Sequence, residues 1–196
     1  MRTRSDRDSS EVIIGVTGHR LLENLKPIIS GVDKTLPAIK TTFKAERMAI
    51  LSPLAEGADR IVTDRALAID GTKLIAILPM PIDIFKEDFQ SPSSKVEFHD
   101  LLQQASEVIE LSRTSKREES YRRAGEYLVA HCDVLIAIWD GLPARGPGGT
   151  AEVVAAARGK NLPMAWIYAR PEMSEKTETT TPGAKHGDVI FERFPE

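Results

Sequence analysis

Three short stretches carry glycines and polar side chains suited to holding an anion. The first in importance is Asp140-Gly141, then Gly148-Gly149-Thr150-Ala151-Glu152, set between an apolar run over residues 133–139 and a helix-forming stretch. Glycines let a backbone approach a ligand closely. A helix that follows offers unpaired N–H groups and the positive end of its dipole to an anion. Arg145, in the same loop, can cover a bound phosphate or belong to a mobile surface loop. The second stretch is Thr17-Gly18-His19-Arg20. Gly18 permits a tight turn, and the Arg20 guanidinium binds phosphate or carboxylate in a forked geometry. The third is Ser52-Pro53-Leu54-Ala55-Glu56-Gly57-Ala58-Asp59. Here Ser52 and N–H groups near Gly57 can hold a polar ligand, and Glu56 or Asp59 can receive a ribose hydroxyl. Each stretch also has a plainer reading. Arg20 can be solvated on an ordinary turn. Glu56, Asp59 and Glu152 can be acids matched to a helix dipole, and Thr150 can be a helix cap. Glu152 alternatively touches a sugar hydroxyl or polarises a water.

These stretches need elements to position them. Strands are predicted over residues 11–16, 48–51, 73–78, 107–111, 133–139 and 163–168, each rich in β-branched or aliphatic residues. Helices are predicted over residues 27–43, with Pro37 as a kink point, and over 56–68, 95–105, 117–131 and 150–159. Residues 79–94 read as irregular, with Ser93 or Ser94 capping the helix that follows. Residues 189–194 add an edge strand. Strands alternating with helices imply a doubly wound, mostly parallel α/β sheet with helices on both faces. Ligands of such sheets bind beyond the carboxyl ends of the strands, where the strand order reverses. Each of the three stretches follows a different strand, so all can converge on one crevice.

Other residues carry weaker signals. Tyr121 can stack on a base, and Arg122 or Arg123 can meet a phosphate, although an amphipathic helix with a solvated basic turn explains them as well. Pro79-Met80-Pro81 with Phe85, Asp88 and Phe89 reads as hydrophobic loop packing, or as a wall over a base. Trp139 and Trp166 read as core or rim packing. His19, His99, His131 and His186 lack ligand spacing, so no metal is expected. His131-Cys132 reads as a cap and a buried thiol rather than a nucleophile pair.

The 196 residues suit one domain, predicted over 11–169, with a polar lead-in at 1–10 and a mostly mobile tail at 170–196. The charge is nearly balanced, with 26 basic and 29 acidic residues, which argues against broad electrostatic capture of nucleic acid. No apolar run approaches the roughly 20 residues a membrane span needs, and the polar N-terminus lacks a signal-peptide core. A cytoplasmic setting is expected. The single cysteine excludes an internal disulfide. Without a Gly-x-Gly-x-x-Gly turn, a standard dinucleotide cofactor site is not supported, and no cofactor is expected.

On these residues the chain resembles the SLOG superfamily of Rossmann-like nucleotide-binding proteins. That group includes cytokinin-activating phosphoribohydrolases, the DNA-processing protein A family and YpsA-like proteins. The resemblance runs from Val12 to Tyr168. Gly18 and Arg20 match a Gly-x-Arg element. Ser52, Ala55, Gly57 and Asp59 match a Ser-Gly-x-Ala-x-Gly-[Ile/Ala]-Asp element from which Pro53 departs. Gly148-Gly149-Thr150 with Glu152 is similar to the phosphate-binding glycine turn. The phosphoribohydrolases carry Pro-Gly-Gly-x-Gly-Thr-x-x-Glu, whereas only Ala151 separates Thr150 from Glu152 here. The acid is therefore turned by roughly 100° about the helix axis. The resemblance implies a nucleotide or nucleotide-derived ligand, bound by a sensor or nucleotide-handling module, and dimerisation through helices beside the sheet. An N-glycosidic hydrolase of nucleoside monophosphates is the alternative, with Glu152 assisting water, Asp59 holding a hydroxyl and Arg20 the phosphate. A single-strand nucleic-acid binder is the third reading.

Overall fold

Seven segments of the chain pair side by side into one twisted sheet. They are β1 (Glu11–Gly18), β2 (Arg47–Ser52), β3 (Lys73–Leu78), β4 (Glu107–Glu110), β5 (Val134–Trp139), β6 (Met164–Tyr168) and β7 (Val189–Glu192), in the order β4-β3-β2-β1-β5-β6-β7. The computed structural model describes residues 10–144, 148–170 and 184–195. Strands β1 to β6 run parallel, and β7 adds to β6 in the opposite sense. The helices are α1 (Leu25–Thr42), α2 (Ala58–Leu67), α3 (Ile82–Phe85), α4 (Pro92–Gln104), α5 (Arg117–His131) and α6 (Thr150–Gly159). This is the Rossmann-like, mostly parallel α/β sheet expected from the sequence.

Both faces of the sheet are covered, so its strands read as continuous apolar runs rather than alternating ones. Ile14, Val16, Ile50, Ile136 and Ile138 pack with Ile28, Val32 and Leu36 of α1, Val62 of α2 and Phe98 of α4. Ile13, Leu51, Leu135 and Ala137 point the other way, against Leu128 and Val129 of α5 and Val153 and Ala157 of α6. Each fully buried aliphatic side chain stabilises the fold by about 1.5–3 kcal/mol. A one-residue slip of any central strand would exchange the two sets. The register is therefore held from both sides.

The chain builds outward from β1 through β2, β3 and β4, then returns to lay β5 against the other side of β1. Strand order thus reverses between β1 and β5. Neighbouring loops part there, leaving a crevice at the carboxyl ends.

Several boundaries differ from the sequence reading. Helix α1 starts at Leu25, placing Pro27 in the first turn, where its missing N–H has no helical partner to lose. The helix continues through Pro37. Helix α2 starts at Ala58 rather than at residue 56, because Gly57 has φ +77°. Residues 79–94 are not irregular throughout: they hold α3, a 3-10 turn (Lys86–Asp88) and the start of α4. The α4 cap is Ser91, whose hydroxyl accepts the Ser94 N–H at 3.0 Å ahead of Pro92 at the first helical position. The edge strand expected over residues 189–194 forms as β7, over Val189–Glu192. Arg158 of α6 ties it down with a two-pronged pair to Glu192, at 3.1 and 2.7 Å. Among the described residues no helix is long and apolar enough to cross a membrane. The readings for residues 1–9, for Arg145 and for residues 171–183 lie outside the described residues.

Candidate functional site

The crevice at the β1–β5 switch has a volume of about 380 Å³, within the range of roughly 300–1,000 Å³ usual for small-molecule sites. The β1 bend forms its floor. Thr17, Gly18, His19 and Arg20 all line it. The His19 N–H donates to the Ile138 carbonyl at 3.0 Å, extending the β1–β5 ladder past the end of the sheet. From β5, Trp139 and Asp140 form the next part of the wall. The Asp140 N–H donates to His19 Nε2 at 3.1 Å, and Asp140 Oδ1 accepts the Leu142 N–H at 3.0 Å while lying 3.2 Å from His19 Nε2. Asp140 thus turns the chain sharply and holds His19 in place.

The β2 bend locks into the β1 bend. A Cβ at Gly57 would stand 2.2 Å from the Arg20 carbonyl oxygen, and one at Gly18 would stand 2.3 Å from the Ala58 Cβ. The Ala58 N–H donates to the His19 carbonyl at 3.0 Å. Only glycines permit so close an approach, so the two bends pack directly against each other. Ser52 is fully buried; its hydroxyl accepts the Leu54 N–H at 3.2 Å and stabilises Leu54 at φ +59°. Pro53, Ala55 and Asp59 reach the crevice from this side.

Asp59 is 5% exposed. Its Oδ2 accepts the Ala55 N–H at 3.1 Å. Burial pushes its carboxyl up to about 7, against the opposing pull of the Ala55 N–H and of the Arg20 and Arg60 guanidinium groups. A carboxyl poised near neutrality in a cleft can give or take a proton. Arg60 is committed elsewhere: it donates to the Leu54 carbonyl, to Ser94 and to Glu97, and stacks 4.6 Å above the Phe89 ring. Arg20 is exposed and lies with its guanidinium carbon 5.2 Å from the Tyr121 ring centroid. Among the described residues no carboxylate stands within ion-pair reach of Arg20.

The third bend opens α6. Gly148, at φ +77°, lies so close to α5 that a Cβ would meet the Glu118 carbonyl oxygen and Tyr121 Cβ, both at 2.8 Å. Gly149 caps α6, and its carbonyl accepts the N–H groups of Glu152 and Val153. The N–H groups of Thr150 and Ala151 meet no acceptor among the described residues, as first-turn amides generally lack an intrahelical partner. Gly148, Gly149, Thr150 and Ala151 all line the crevice. Glu152 does not. Its Oε2 accepts the Gly148 N–H at 2.8 Å, so the acid reaches back and braces the turn.

Nine of the fourteen residues expected from the sequence to bind or act on a ligand therefore share the crevice: Thr17, Gly18, His19, Arg20, Asp59, Asp140, Gly148, Gly149 and Thr150. Five do not line it. Ser52 and Glu152 are turned to backbone N–H groups. Gly57 lies beneath the β1 bend, and Gly141, at φ +78°, makes the turn after Asp140. Glu56 faces α4, where it accepts from the Ser94 hydroxyl, and so is not placed for a ribose in this crevice. Arg122 is paired with Glu119 and Glu126 on the outer face of α5, and Arg123 points to the Ser112 carbonyl, so neither reaches the site. Lining residues not expected from the sequence include Ala124, Gly125 and Leu128 of α5 and Leu142, Pro143 and Ala144 beyond β5. Gly125 was a legible signal: a Cβ there would stand 2.7 Å from Val153 Cγ2, so the glycine lets α5 approach α6. No group of three or more His, Cys, Asp or Glu suited to a metal ion occurs among the described residues.

No family model and no curated protein matches the sequence. Solved structures do match, among them the following two. DNA processing protein A from Helicobacter pylori, described for its single-stranded DNA binding mode, aligns with a TM-score of 0.52 at 18% identity, over 78% of this chain. The chain spans 63% of the length of that protein. The structural-genomics target TM1055 aligns with a TM-score of 0.48 at 16% identity, over 78% of this chain and 72% of the other. What this chain shares with the Helicobacter pylori protein is its fold, a Rossmann-like α/β sheet with helices on both faces.

Proposed function

We propose that this chain is a nucleotide-binding module of the SLOG kind, working in the cytoplasm as a sensor or nucleotide-handling protein. One observation carries the reading. Thr150 and Ala151 at the start of α6, Arg20 and Asp59 all line one crevice at the β1–β5 switch. A phosphate is held by the first-turn amides and the dipole of α6, with Arg20 completing its neutralisation. The Tyr121, Phe85 and Trp139 side chains supply apolar wall for a base, and Asp59 or Asp140 receives sugar hydroxyls. A thermal-shift panel of AMP, NAD and ADP-ribose tests this. The expected outcome is stabilisation by at least one member, lost in Gly149→Asp. Gly149 has φ −88°, which any residue adopts, and an aspartate at the cap supplies its own acceptor to the α6 amides. That variant stays folded while occupying the phosphate position. No shift with any of the three, in a chain that carries no co-purified nucleotide, refutes the reading.

The alternative, N-glycosidic hydrolysis of nucleoside monophosphates, draws support from Asp59 rather than Glu152. Asp59 is the buried acid in the crevice with its carboxyl raised to about 7, whereas Glu152 is engaged by Gly148. Release of free base from AMP, abolished in Asp59→Asn, would favour it. The single-strand reading rests on the fold shared with a DNA-binding protein, against a net charge of −3. It requires a gel shift that weakens steeply with salt.

A further inference from the structure

Asp59 and Arg20 make an unusual pair for a site that receives an anion. The Asp59 carboxyl lines the crevice yet is almost wholly buried. Titratable and charged groups surround it from several elements among the described residues. His19 and Arg20 face it from the β1 bend, and Asp140 stands across the crevice against His19. From its own helix, Arg60 is drawn away by Leu54, Ser94 and the α4 residue Glu97. Glu56, just before α2, is turned to Ser94, and Asp64 lies further along the helix. The Tyr121 ring of α5 lies beneath Arg20. Among the described residues, Arg20 is therefore the cation that both acts on Asp59 and is placed to meet a ligand. An anion that engages Arg20 takes over its field. It also sets a second negative charge beside a carboxylate in a place where water screens poorly, an arrangement that favours the protonated acid.

We propose that Asp59 is a ligand-linked proton carrier: an anionic ligand enters the crevice with one proton taken from solvent onto the Asp59 carboxylate, which then faces the ligand as a hydrogen-bond donor. The inference rests on the crevice being an anion site. It adds that the affinity of the site depends on pH through one proton. The burial that raises the Asp59 carboxyl to about 7 sets the range in which the coupling operates. Below that range the acid already carries its proton. Above it, each bound ligand must bring one, and affinity falls about tenfold per pH unit, as a single linked proton requires.

The test is calorimetric titration of the full chain with ADP-ribose and with AMP, in two buffers of different ionisation enthalpy, between pH 6 and 9. ADP-ribose is the cleaner probe, because a phosphomonoester such as that of AMP itself titrates near pH 6. The expected result is uptake of close to one proton per ligand at pH 8, diminishing toward pH 6. Asp59→Asn should bind with an affinity that no longer changes between pH 7 and 9. Carbon NMR of the Asp59 carboxyl in the wild-type chain gives a reading independent of any variant: its midpoint should lie near 7 without ligand and move upward with it. Binding with a buffer-independent enthalpy and flat affinity, or a midpoint near 4 that ligand does not move, overturns the inference and leaves the anion site standing. No binding of either probe at any pH removes the anion site, and this inference with it.

Discussion

Replacing Asp59 by asparagine should stabilise the free protein, and by an amount that grows with pH. Asparagine keeps the shape and can still accept the Ala55 N–H through its side-chain oxygen. In the folded chain the Asp59 carboxyl is raised from an ordinary 3.8 to about 7, chiefly by burial. Between those two values the native state holds a proton that the unfolded state has released. Wild-type stability attributable to this group therefore declines as pH rises through the window, and the full penalty is present above the folded value. At about 1.4 kcal/mol per pH unit, the displacement corresponds to roughly 4 kcal/mol. Asparagine carries no such penalty. The gap between variant and wild type should be near zero below pH 4, open progressively from pH 4 to 7, and level off near 4 kcal/mol. With a urea slope of about 2 kcal/mol/M, that is a midpoint difference of about 2 M at pH 8. Asp64, whose carboxyl burial also raises, is present in both proteins and cancels in the difference. Urea melts at half-unit pH steps provide the measurement. A gap independent of pH, or one that closes toward alkaline pH, would refute the reasoning.

Three further outcomes follow from the geometry. Gly57→Ala forces a side chain to within 2.2 Å of the Arg20 carbonyl at φ +77°; the backbone alone costs about 1–3 kcal/mol, and thermal denaturation should register a loss at least that large. Glu152→Gln retains an acceptor for the Gly148 N–H, so nucleotide affinity should change less than threefold, whereas Glu152→Ala frees the turn and should weaken binding about tenfold by calorimetry. A catalytic Glu152 would instead show equal loss of turnover in both variants. Arg158→Ala removes the pair to Glu192 and the stacking on Trp139 and Trp166, worth about 1 kcal/mol for a half-exposed pair; hydrogen exchange should speed up in β7 before it does in β5.

The parallel strands were legible because burial on both faces writes itself as unbroken apolar runs, as in residues 133–139. So was the convergence of Gly18 and Gly148–Thr150, since glycines that join a strand end to a helix start in such a fold mark places where backbone packs tightly at the crevice. The roles of acids were not legible. Glu56, Asp59 and Glu152 occupy similar places beside glycine bends, yet Glu56 turns to Ser94 and Glu152 to Gly148, and only Asp59 reaches the crevice. A first-turn position does not say which way a side chain turns; that depended on Ser94, brought in from α4, and on the left-handed twist of Gly148. Arg60 shows the same limit. Its neighbours in sequence do not announce that it is buried and spans from Leu54 to Glu97. The Ser91-Pro92 start of α4, by contrast, is readable as a cap followed by proline at the first helical position, a stronger signal than the serines after it.

The most direct test of an anion seated on the start of α6 is an amide NMR titration of the full chain with AMP and ADP-ribose. The N–H signals of Thr150 and Ala151 should move downfield together with those of Gly18 and Arg20, all with one dissociation constant. Movement confined to other surfaces, with Thr150 and Ala151 unmoved at saturation, would contradict it.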